Sequence, residues 1–354
     1  MKKNFVHENF GAIFDAGYTM IMKNILILFC LFTLLAAGCK KDPFVVDISA
    51  IEAEISISRF EMELFAADPS KLEEYIPLWK KEYGIFFQHF NYILKLGPAD
   101  DPGYTDRLRQ FVTDRTNFTV YEKTMQAFPD LEAFKMDLSL AFRHYRYYFG
   151  DKPIPQIVTY ISGFNQSAIT DDNLLAVGLD KYLGSGEELY RKIGIYNYLL
   201  NNMHPGKLVS DCMLFWGETE FPYNDSINNL LTNMLYRGRL LYFASAMIPA
   251  QPDTLKWGFT ERNLSFFREN EKSMWAYLVE KKLLFSTDRF TIDKFILEGP
   301  FTSDFGRESP GRAAVWLGYR IVSEYMAKNS DTSLQELMEE RDYMRILNLS
   351  AYNP

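Results

Sequence analysis

The residues with chemistry to offer are few and scattered. Three histidines, His89, His144 and His204, follow the N-terminal segment that holds His7, and no two are neighbours in sequence. No His-Glu-x-x-His occurs, so the helical zinc pair with its general base is absent. No Cys-x-x-Cys offers thiolates for zinc or redox exchange. The Gly-x-Ser-x-Gly elbow, the dinucleotide fingerprint and the phosphate loop are also missing. Gly184-Ser185-Gly186 could turn amides towards an anion, but the same triplet is ordinary turn chemistry. Glu218 and Glu220 are two apart and would diverge on a helix, which reads as solvated rather than paired. His144, among Tyr145, Tyr147 and Tyr148, reads as a packed ring, and Cys212 as a buried structural thiol. What remains for acid–base work is Asp180, Glu218, Glu220 and Glu308, acids that only a fold could bring together, with Arg312 as an anion contact.

Cys39 has flanks that specify a reaction. From Met22 the chain runs through Lys23 and Asn24, then an apolar stretch from Ile25 to Ala37, then Gly38-Cys39. Positive start, apolar run and small residues are the parts of a secretory signal, and the run is short of the ~20 residues of a membrane span. Leu35-Ala36-Ala37-Gly38-Cys39 resembles a bacterial lipobox, in which the thiol is diacylated, the peptide is cut before the cysteine and the new amine is acylated. Residues 1–21 read as lying upstream of the true start, Met22. The expected organisation is a leader over 1–39, a tether over 40–50 that joins the lipid at Cys39 to the body, and one globular domain over 51–354.

The body must position any site through helices. Glu52–Ile57 alternates like an edge strand. Ser70 with Glu73 forms a capping-box pattern before Leu72, Tyr75, Ile76 and Trp79. A second helix is expected from Tyr83 to Leu96, stopped by Gly97-Pro98. Leu131, Phe134, Leu138, Ala141, Phe142, Tyr145 and Phe149 make a helical stripe, broken after Lys152 by two prolines. Ile157–Ile161 and Leu174–Leu179, around Asp171-Asp172-Asn173, read as a hairpin or two neighbouring strands. Asp225 or Ser226 would cap a helix through Ile227, Leu230 and Leu241 to Pro249, with Gly238 inside it costing about 1 kcal/mol unless something packs close. Thr260, Ser309-Pro310 and Ser333 with Glu336 mark three further helix starts. The fold class expected is mainly α with a small β-sheet or hairpin.

The chain has 354 residues, 47% hydrophobic and 16% aromatic, enough to build a sizeable core and to exclude disorder. With 38 basic and 46 acidic residues its net charge is −8, which argues against nucleic acid as a partner. Loss of residues 1–39 removes three lysines and two acids and leaves −9. Cys30 leaves with the leader and Cys39 is acylated, so Cys212 has no mate and the core replaces disulfides.

Several blocks follow one another in a set order: Cys39-Lys40-Lys41-Asp42-Pro43-Phe44-Val45-Val46-Asp47, Tyr160-Ile161-Ser162-Gly163-Phe164-Asn165, and Gly178-Leu179-Asp180-Lys181-Tyr182-Leu183-Gly184. Leu240-Leu241-Tyr242-Phe243, Met247-Ile248-Pro249, Gly299-Pro300-Phe301-Thr302 and Ser309-Pro310-Gly311-Arg312 through Val315-Trp316-Leu317-Gly318 complete the set. Together these blocks resemble the gliding motility lipoprotein GldB family of Bacteroidetes. The resemblance implies a lipoprotein of the outer membrane, required for gliding and linked with type IX secretion, with envelope or motility proteins as partners. More distantly it is similar to zinc peptidases in which a hairpin precedes a metal-binding helix and a later Glu-Gly helix gives the third ligand. Here the helix Leu208–Trp216 has no histidine, and Arg237-Gly238 stands where the acid is wanted. That implies a zincin-like peptidase scaffold with a degenerate metal site, no cofactor and no catalysis. The competing expectation is an envelope hydrolase, peptidase-like or glycan-active, built from the scattered acids.

Overall fold

The computed structural model describes residues 42–150 and 152–354. The expected leader, the start at Met22 and the lipidation residue Cys39 lie outside the described residues. The chain divides into two units, Met1–Val45 and Val46–Pro354. Of the first, only Asp42–Val45 are described, a turn closed by the Val45 amide on the Asp42 carbonyl at 3.2 Å. Everything below concerns the second.

Its elements run β1 (Ile57–Arg59), α1 (Phe60–Ala66), α2 (Leu72–Ile93), α3 (Tyr104–Thr113), α4 (Arg115–Ala127), α5 (Glu132–Phe149), β2 (Gln156–Tyr160), β3 (Ala168–Asp171) and β4 (Leu174–Gly178). Then come α6 (Glu188–Lys192), α7 (Asn197–Leu200), α8 (Leu208–Glu220), α9 (Leu230–Met247), α10 (Asp253–Trp257) and α11 (Glu261–Glu280). The chain closes with α12 (Arg289–Ile296), α13 (Ala313–Lys328), α14 (Leu334–Glu339) and α15 (Tyr343–Ser350). The body is mostly helical around one small mixed sheet, as expected.

The sheet order is β1-β2-β4-β3. β1 and β2 are parallel, β2 and β4 are parallel with Val158 opposite Ala176, and only β3 is antiparallel, with Ile169 opposite Ala176. Of the two arrangements left open, neighbouring strands hold for the Ile157 and Leu174 runs. The hairpin is made instead by β3, which turns at Asp172-Asn173 into β4. β4 is buried at every position and β2 at all but its first, which explains why both are unbroken apolar runs without alternation.

The expected edge strand starts later. Residues before Ile57 give their carbonyls to α5, not to a strand. Arg143 donates to Ile48 O and Ile51 O at 2.6 Å, Ser139 to Ala53 O and Arg146 to Glu52 O at 2.5 Å. The two helices expected on either side of Tyr83 are both present, and α2 is their run joined at Gly84, whose φ of +46° and ψ of −113° are not helical and kink the chain there. Its approach is capped by Asp68, whose Oδ1 accepts from the Ser70 amide at 2.9 Å, rather than by Ser70. The first core centres on Phe60, whose ring meets those of Trp79, Tyr83, Phe86, Phe87 and Phe90 at centroid distances of 4.9–5.9 Å, all edge-on. Each such pair adds about 0.5–1.5 kcal/mol beyond area burial.

In the second half α9 packs along α13, and Gly238 finds there the close neighbour it needs. A Cβ on Gly238 would strike the backbone of Gly318, and one on Gly318 would strike the carbonyl of Met234. Two helix starts differ from expectation. Asn229, not Asp225 or Ser226, caps α9 through a reciprocal pair with Thr232, and residues 225–227 form a separate 3-10 turn. Ser309 does not open α13. Its hydroxyl is buried and donates to Thr302 O at 2.8 Å and Gly306 O at 2.6 Å, closing a loop before the helix begins at Ala313.

Candidate functional site

α8 and α9 form one wall of a cleft of about 320 Å³, and α10, the end of α12 and the start of α13 supply the rest. α8 lies against β3 and β4 and crosses α9, so the sheet sets the wall. The apolar lining includes Leu214, Phe215, Leu240, Leu241, Trp257 and Val315. Three cation–carboxylate pairs stand around it: Lys207 with Asp211, Arg237 with Glu218, and Arg312 with Glu298.

Each pair has a local origin. Lys207 and Asp211 are four apart at the start of α8, so one helical turn brings them to 2.7 Å. Tyr182 donates to the other oxygen of Asp211 at 2.9 Å. Lys207 also donates to Ser210 Oγ at 2.6 Å, a contact that resembles a serine–lysine nucleophile pair. Ser210 is fully buried, however, and its hydroxyl donates to Leu255 O at 2.8 Å, while the ammonium is committed to Asp211. Neither a reachable nucleophile nor a free amine results. Glu218, two turns further along α8, meets Arg237 of α9.

Arg312 is the most constrained of the set. It sits at φ +60° just before α13, a left-handed conformation that costs a non-glycine residue about 1 kcal/mol or more. Gly311 beside it is pressed on the backbone of Gly299, where a Cβ would lie 2.5 Å from the Gly299 oxygen. Thr302 takes Pro310 O through its hydroxyl at 2.8 Å, stapling the same loop. The guanidinium then donates to Glu298 at 2.6 Å and to Trp257 O at 3.2 Å, and lies 4.7 Å from the centre of the Phe259 ring. Backbone, ring, carbonyl and carboxylate thus hold one side chain at the cleft wall.

Of the residues singled out from sequence, the cleft gathers Glu218, Arg237 and Arg312. The other three go elsewhere, so the expected acid set does not converge. Asp180 is wholly buried under the turn after β2. Its Oδ2 accepts from the Phe164 amide at 2.6 Å and the Ser162 amide at 3.2 Å, and burial raises its pKa to about 6. Glu220 turns away from Glu218, as helical spacing requires, but it is not simply solvated. It accepts from Tyr145 at 2.9 Å and Lys152 at 2.7 Å, tying α8 to α5. Glu308 pairs with Arg262 at the surface.

Sequence reading missed Lys207, Asp211 and Glu298. The four-residue spacing of Lys207 and Asp211 was a legible signal; Glu298 carried none, because its partner is brought in by loop closure. His144 and Cys212 are buried as expected. Burial lowers the pKa of His144 and pushes the Cys212 thiol far up. Among the described residues no group of three His, Cys, Asp or Glu side chains is placed to hold a metal ion. An apolar trough with arginine donors, and with each carboxylate on a cation, suits the holding of a chain that carries acceptors of its own.

No helix among the described residues is long and apolar enough to cross a membrane. No curated protein and no solved structure matches the chain. The family model of the gliding motility protein GldB matches residues 41–354, which takes in the segment before β1 as well as the cleft. Membership implies a role in gliding motility, and the lipoprotein in the family's name implies the cell envelope. On a match over the whole described body, this chain belongs to the gliding motility protein GldB family.

Proposed function

We propose that the chain is a lipid-anchored protein of the outer membrane that serves gliding, together with type IX protein secretion, by holding a segment of an envelope protein in the cleft without catalysing a reaction. The observation that carries this reading is the pairing of Asp211, Glu218 and Glu298 with Lys207, Arg237 and Arg312 over an apolar floor. Each of these carboxylates faces a cation of the chain itself. The guanidinium forks offer further N–H groups to backbone or carboxylate acceptors of a bound chain. A hairpin followed by α8 and α9 is also the order of elements in the peptidase scaffold that the sequence resembles, with Arg237 in place of an acid.

The test uses the lipidated protein in cells. A photo-cross-linking side chain in place of the exposed Leu297, at the cleft edge, is expected to form a discrete adduct with one envelope protein. Leu214→Glu, which puts a charge on the apolar wall of the cleft, is expected to abolish both adduct and spreading motility at normal protein level. Normal motility in that variant, or no adduct from Leu297, would sink the reading.

A further inference from the structure

Charge on the cleft wall is balanced residue by residue. Lys207, Arg237 and Arg312 are its cations, Asp211, Glu218 and Glu298 its carboxylates, and no other described side chain of the lining is charged. Each carboxylate stands on one cation: Asp211 is 2.7 Å from Lys207, Glu298 is 2.6 Å from Arg312, and Glu218 contacts Arg237. A charged side chain that enters the cleft therefore meets both signs at nearly the same distance, and attraction by one is offset by repulsion from the other. Its loss of hydration is not offset, because most of the lining is apolar and offers it no hydrogen bonds. Closed pairs of this kind reject acidic and basic segments alike.

An uncharged segment escapes that loss and still brings backbone carbonyls. Arg312 uses one N–H on Glu298 and one on Trp257 O, and its guanidinium carries five, so donors remain for such carbonyls. Binding is then driven by apolar burial. Leu240, Leu241, Trp257, Ile296 and Val315 are already buried, whereas Leu214 and Phe215 are half-buried and Leu297 is exposed. The last three are the apolar surface left for a partner to cover. The cleft of about 320 Å³ has room for roughly ten water-sized groups at about 30 Å³ each, which is the heavy-atom content of about two large apolar side chains.

Resting on the reading of the cleft as a holding site, we infer that the segment it holds is uncharged and apolar, with large aliphatic or aromatic side chains on Leu214, Phe215 and Leu297. No acidic or basic residue of the partner lies between the three ion pairs. The pairs set which segments are refused, and the apolar wall supplies the affinity.

The photo-cross-linker at Leu297, in the full chain in cells, reads the segment directly. Digestion of the adduct and mass spectrometry of the joined peptide should place the cross-link in a run of about five residues of extended chain free of Asp, Glu, Lys and Arg. Photolysis of isolated envelopes in about 50 mM and about 500 mM sodium chloride should give yields within about twofold, because salt screens an attraction between net charges and the paired wall has none. Phe215→Asn, which removes apolar surface without changing charge, should lower the yield about tenfold at either salt concentration. Should that variant misfold, the mapping and the salt series keep the test. A joined peptide centred on charged residues, a yield about tenfold lower at the higher salt, or an undiminished yield from Phe215→Asn at normal protein level would each overturn the inference and leave the cleft a holding site. Absence of any adduct from Leu297 would remove the holding role itself, and the inference with it.

Discussion

Asp180 sits wholly out of solvent, with one oxygen on the Ser162–Phe164 turn and the other buried without a hydrogen-bond partner. That turn puts Gly163 and Phe164 at φ +63° and +67°, and the second of these costs a residue with a Cβ about 1 kcal/mol or more. The carboxylate bonds and the packing of Phe164 on Tyr190, 5.4 Å between centroids, offset that cost. Two of the sequence blocks that carried the family resemblance are therefore one structural unit, a strained turn and the acid beneath it. Because the folded-state pKa is raised, to about 6 from an ordinary 3.8, the unfolded chain ionises first as pH rises. The contribution of Asp180 is fully present below about pH 4 and is lost as pH passes through about 6. Relative to Asp180→Asn, the wild type should lose on the order of 3 kcal/mol of unfolding free energy between pH 4 and pH 7. Parallel urea titrations of the two proteins across that range would measure it, and identical pH profiles would contradict it.

Among the elements, α9 and α13 depend most on residues without side chains. Their contact at Gly238 and Gly318 brings backbone against backbone, and no rotamer change can relieve a methyl placed there. Gly318→Ala is expected to destabilise by about 3 kcal/mol, at the upper end of overpacking costs, seen as a lower urea midpoint with unchanged slope. An alanine variant as stable as the wild type would mean that the helices can part. Elements also show where local reading works. The capping pairs Thr260 with Asn263 and Ser333 with Glu336 form at the starts expected from Thr260 and Ser333. Ser70 and Asp225 fail although their chemistry is equally good, because Asp68 and Asn229 compete within a few positions. For α9 the choice is made from outside, by the loop that accepts the Leu230 and Leu231 amides.

At the scale of the molecule, the chain enters its body through the strap 48–53, held on α5 by Arg143, Ser139 and Arg146 through backbone carbonyls. None of these bonds belongs to the sheet, so the strap can be released without unfolding the rest. Arg143→Ala with Arg146→Ala should speed proteolysis between Ile48 and Ala53 by about tenfold or more while moving the global melting temperature by only a few degrees. Equal cleavage rates would show that the strap is held by other contacts. The helical class, the apolar strands and the burial of His144 and Cys212 were readable in the sequence, because each rests on composition, period or spacing within about twenty residues. Strand order, the left-handed Arg312, the Gly238–Gly318 contact and the partners of Glu218, Glu220 and Asp180 were not. The tertiary structure decided them, because each joins positions far apart in the chain whose approach depends on how the whole core closes, and no local preference encodes that.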